Sequence, residues 1–169
     1  VIRNQGNSQK GAFDISIRDT FQPGYVIPGG LGLNLQVYRG DGLALTYTDL
    51  GGGIFGTGIK IDDPGAPGVG ACQAHNATNG TNVIVITNDL QLDTAITLDQ
   101  GIINTATLFN YAATSGGPDF TDPLDIVDTA TVQPVSAPAK SIVTTSEAHT
   151  VETGSGTTAN PRLAAVGEI

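Results

Sequence analysis

The chain has 169 residues, a net charge of -9 and a pI near 4.2. So acidic a chain repels a nucleic-acid backbone and offers no basic stripe to displace its counterions. Its single cysteine excludes an intrachain disulfide.

Charged residues make up 14%, Met and Trp are absent, and 23 glycines punctuate a sequence rich in Thr, Val, Ile, Asn and Asp. That palette builds strands and tight turns. No window of good helix formers carries a 3.6-residue apolar stripe. The expected fold class is all-β, with one domain long enough to hold a real core. No signal peptide is visible, and no apolar run approaches the ~20 residues of a membrane helix. The chain starts at Val1 rather than Met, so it reads as a processed product or an excerpt from a longer polypeptide.

In chain order, residues 1–4 and 12–19 read as an opening hairpin around the turn formers Asn4-Gln5-Gly6-Asn7-Ser8. Phe13, Ile15 and Ile17 alternate with Asp14, Ser16 and Arg18, which places apolar and polar side chains on opposite faces. Pro23-Gly24 ends that segment. Leu33–Tyr38 alternates and pairs, across the turn Arg39–Gly42, with Leu43–Thr48. Tyr38 and Tyr47 flank this hairpin and are expected to pair across it. Ile54–Ile61 is a weaker, glycine-rich strand. Residues 62–82 form a long loop, and 82–87 the most apolar strand, central to a sheet. Asp93–Asp99 is a connector between sheets, read as a short helical turn. Ile102–Tyr111 and Asp125–Val132 close the set, separated by a loop at 112–122.

Two stretches, VIRNQGNS…AFDISIRDT…PG at the start and Gly101-Ile102-Ile103-Asn104-Thr105-Ala106-Thr107-Leu108 later, resemble the DUF11, or conserved-repeat, domain of bacterial and archaeal surface proteins. The matches span residues 1–133. The resemblance implies an immunoglobulin-like antiparallel β-sandwich in a long extracellular protein, and not an enzyme. Residues 1–132 are then the sandwich body and 133–139, QPVSAPA, a linker. Residues 140–169 resemble the first strand of the next repeat, a C-terminal extended strand with nothing after it to pair with. The body itself lacks that first strand.

The expected function is therefore structural: an extracellular repeat or subunit of a cell-surface stalk, adhesin or filament. Neighbouring copies join head to tail by β-strand addition. Lys140, Ile142, Val143 and Thr145 are the candidate donor-strand residues. Lys140 and Asn104 are also a candidate isopeptide pair, with Asp14 or Asp128 as the assisting carboxylate. The rival expectation is an adhesin module binding a glycan or another surface ligand through the 62–82 and 112–122 loops.

That rival brings Ca²⁺ as the one candidate cofactor. Asp119, Asp122 and Asp125 recur at spacing three, but the Asp-x-Asp-x-Asp-Gly loop is missing. Asn76 and Asn79 each open an Asn-x-Thr glycosylation tripeptide. His75 and His149 lack a third ligand at useful spacing, so zinc is not expected. Cys72 reads as a buried small hydrophobe. No acid, base and nucleophile converge in the sequence, so no enzyme is expected.

Overall fold

A computed structural model describes residues 1–5, 9–30, 32–75 and 78–135. Among them every regular element is a strand, and Val1–Pro134 forms one compact unit. No helix among the described residues is long and apolar enough to cross a membrane.

Ten strands are present: β1 (Ile2–Arg3), β2 (Phe13–Phe21), β3 (Tyr25–Val26), β4 (Gln36–Arg39), β5 (Tyr47–Asp49), β6 (Ile59–Ile61), β7 (Val83–Thr87), β8 (Gln91–Leu92), β9 (Ile102–Ala112) and β10 (Ile126–Val132). All pairings are antiparallel. A five-stranded sheet runs β10-β9-β2-β6-β5, a three-stranded sheet runs β1-β7-β4, and β3 pairs with β8. The inward residues of the two larger sheets make one core. Ile15, Ile17, Ile59 and Ile61 come from the first, Val37 and Ile84 from the second. This is a β-sandwich, whose aligned inner faces alternate with outward residues.

Three sequence expectations need correction. The opening hairpin does not form: β1 pairs with β7, while β2 pairs with β6 and β9. The chain crosses between sheets after β1, and a turn signal alone cannot distinguish a crossing from a hairpin. The second hairpin forms only at its turn, where Arg39 N–H donates to Leu43 O and Leu45 N–H to Val37 O. The chain then leaves the small sheet and enters the large one as β5, with Leu45 buried at the crossing. Tyr38 and Tyr47 therefore lie in different sheets. The connector from β7 to β9 does cross between sheets, but through β8 and turns rather than a helical turn.

The polar face of β2 also departs from simple alternation. Asp14 and Ser16 are buried along with Phe13, Ile15 and Ile17. Asp14 has φ 54 and the β2–β9 register shifts beside it, the signature of a bulge that re-aims a side chain. Its carboxylate takes Lys60 Nζ at 2.6 Å and the Gly116 N–H at 2.7 Å. These bonds satisfy an acid that would otherwise be costly to bury.

Candidate docking groove

The two sides of the sandwich differ. On one side the Leu43–Tyr47 crossing bridges the sheets and seals the core. On the other, β1 and β10 are the edge strands of their sheets, and no described strand spans the gap. Two depressions follow one another along this opening. The first is apolar, with Ile2, Ile15, Leu108, Tyr111, Phe120 and Ile126 among its walls. The second is lined by Ile17, Ile86 and Ala106, together with Asp19, Asn104 and Asp128.

Cross-strand register explains this lining. Ile17, Leu108 and Ile126 form one row across β2, β9 and β10. Asp19, Ala106 and Asp128 form the next inward row, and Phe21, Asn104 and Ala130 the one after. Residues opposite one another share a face, so β10 continues the inner surface of the sheet. Yet every residue of β10 is exposed, Ile126 by 52%. An apolar inner row left uncovered on an edge strand is a template for another chain.

Within the second depression, Asp19 Oδ1 accepts the Thr20 N–H at 3.0 Å and Oδ2 accepts Asn104 Nδ2 at 3.1 Å. A carboxylate only accepts, so it fixes which amide atom faces it. Asn104 Oδ1 then points elsewhere; it is buried and has no hydrogen-bond partner. Asp128 Oδ1 accepts the Thr129 N–H at 2.9 Å. None of the described ion pairs involves Asp19 or Asp128: Arg18 pairs with Asp125, Arg39 with Asp41 and Lys60 with Asp14.

The sequence-derived candidates divide as follows. Asn104 and Asp128 meet in the groove, whereas Asp14 is committed to Lys60. Lys140, Ile142, Val143 and Thr145 lie outside the described residues, as do Asn76 and His149. Asn79 is exposed in a turn, its Oδ1 accepting the Thr81 N–H and hydroxyl.

The three candidate calcium ligands do not form a cluster. Asp119 Oδ1 accepts the Thr121 N–H, the Thr121 hydroxyl and, more weakly, the Tyr111 N–H. These donors hold its carboxyl below the usual carboxylate range. Asp125 takes Arg18, whose guanidinium also sits 5.3 Å from the Phe109 ring centre. No group of three or more His, Cys, Asp or Glu that could hold a metal ion occurs among the described residues. His75 is exposed, and its Nδ1 lies 3.3 Å from Asn82 Nδ2.

Asp19 was missed from sequence. Its signal was present: it continues the inward series Ile15, Ile17, Asp19, and an acid at an inward position of a strand asks for a partner. No family model, curated protein or solved structure matches the chain.

Proposed function

We propose that the chain is a structural building block of an extracellular stalk, adhesin or filament, its copies joined head to tail by β-strand addition. The observation that carries this reading is the open side of the sandwich between β1 and β10, with Ile126 uncovered on an edge strand. A strand laid along β10 satisfies that free edge and covers the apolar row beneath. The occupant is the Lys140–Thr150 segment of a neighbouring copy, where Ile142 and Val143 supply apolar side chains and Thr145 a residue of high strand propensity. The neighbour is a second chain or the next repeat of one chain. Donor and acceptor surfaces differ, so the contact is heterologous and propagates into a fibre unless it closes into a ring. The resemblance to DUF11 repeats, with their immunoglobulin-like sandwich, points the same way.

Sedimentation velocity on the full chain tests this. The chain is expected to form a concentration-dependent ladder of oligomers, and Ile142→Asp or Val143→Asp to collapse it to monomer. A wild-type chain that stays monomeric, or oligomers indifferent to both variants, would overturn the reading.

A further inference from the structure

We propose that the docking strand is held in one register by a lysine socket. Lys140 of the neighbouring copy enters the notch formed by Asp19, Asp128 and Asn104, and the strand runs antiparallel to β10 so that Ile142 meets Ile126. This inference rests on the strand-addition reading above.

The notch has the chemistry of an ammonium site. Two carboxylates, Asp19 and Asp128, stand in one inward row across the sheet, and no described ion pair uses either. Asn104 Oδ1 adds a buried acceptor without a partner. A lysine ammonium brings three donors and no acceptor, so it can serve both carboxylates and the amide oxygen together. A neutral donor would bring neither carboxylate a counter-charge.

The spacing on the incoming strand matches the spacing in the groove. Lys140 and Ile142 are two apart and so share a face, about 7 Å from one another along the strand. The row of Asp128 and the apolar row of Ile126 are also two residues apart on β10. With Lys140 in the notch, Ile142 reaches the apolar depression when the strand runs antiparallel to β10. The opposite direction sends Ile142 to the row of Asn104 and Ala130 and leaves Ile126 uncovered.

Past β10 the chain runs on beside the residues that precede β9: Asp99 N–H donates to Pro134 O at 2.7 Å, and Gln133 Nε2 to Asp99 O at 3.2 Å.

Charge exchange tests the socket, with association read by sedimentation velocity on full chains. Lys140→Asp and Asp128→Lys are each expected to weaken association about tenfold or more, and the double variant to recover most of it. Asp128 is exposed on β10, so its replacement does not burden the core. If Lys140→Asp assembles like wild type while Ile142→Asp does not, the socket falls and strand addition stands. If neither variant alters assembly, strand addition falls with it. A double variant no better than the singles would overturn the pairing. Oligomers that survive denaturant with one ammonia lost per joint would also overturn it, because Lys140 Nζ would then be an amide of Asn104 rather than an ammonium.

Discussion

Asp14 Oδ1 and Lys60 Nζ stand 2.6 Å apart, joining the β2 bulge to β6. The other oxygen of the same carboxylate holds the Gly116 N–H at 2.7 Å, so one side chain ties two strands to the 112–118 loop. The Lys60 side chain is 40% exposed, which lets solvent screen the ion pair and makes it a minor contributor. The loop hydrogen bond matters more. Asp14→Ala strands the Gly116 N–H and places alanine at φ 54. It is expected to cost about 2 kcal/mol in urea unfolding, with an unchanged m-value. Asp14→Gly loses the same bonds but tolerates that φ, and should cost less. Equal losses would mean that the bulge carries no strain.

Acid titration should show two opposed effects. Burial pushes the Asp63 carboxyl above its ordinary value of 3.8, despite hydrogen bonds from the Ala71 and Asp14 N–H groups. Folded protein then binds that proton more readily than unfolded protein, so stability rises as pH falls through the raised value. Asp14 is shifted the other way, chiefly by its hydrogen bond from Lys60. Its contribution is complete above 3.8 and is lost as pH falls through its lowered value. Urea midpoints across this range should therefore climb slightly above pH 3.8 and drop below it. In Asp63→Asn the climb should vanish while the drop remains. A climb that persists in that variant would assign it to another group.

The Cys72 thiol is 1% exposed and donates to Asn82 O at 3.1 Å. Burial also raises its pKa, and the thiolate is the reactive form. Native protein should resist alkylation by iodoacetamide at pH 8, with labelling completed only in denaturant. Rapid native labelling would mean that the edge around Ala12 and Cys72 opens readily.

Gly58 has φ 110, and a Cβ there would meet Ile17 O at 2.6 Å and the Phe109 ring at 2.9 Å. The backbone of β2 passes too close for any side chain. Gly58→Ala should destabilise by about 2 kcal/mol or more, combining strain with overpacking. Gly42 also has positive φ but nothing within 4 Å of its would-be Cβ. Gly42→Ala should therefore cost only the strain, and a matching loss at both sites would contradict the packing argument.

The readable parts of this fold were those that local pattern controls. Strict alternation identified the inward residues Ile15 and Ile17, and the apolar run at 83–87 identified β7, which does lie at the centre of its sheet. Sheet membership was not readable. Ile2 faces Ile84, and Tyr47 faces Ile61. Both are long-range choices made by core packing that the turn residues nearby do not encode. The groove was half-legible. Asn104 and Asp128 could be named from sequence, but their meeting with Asp19 depends on β9 lying between β2 and β10. The burial of Asp14 was not readable from alternation, because its cover comes from a loop a hundred residues away.

The most direct measurement mixes two variants of the full chain, each with one added cysteine, Ile126→Cys and Ile142→Cys, and oxidises the mixture. Cys72 is buried and does not compete. Antiparallel partners in adjacent strands bring Cβ atoms within about 5.5 Å, close to what a disulfide requires. A strand donated between copies, with Ile142 against Ile126, predicts a disulfide-linked dimer holding one chain of each kind. Val127→Cys, on the outer face of β10, should give little when paired with Ile142→Cys. Failure of the mixed dimer to form, or equal yields from positions 126 and 127, would contradict the account.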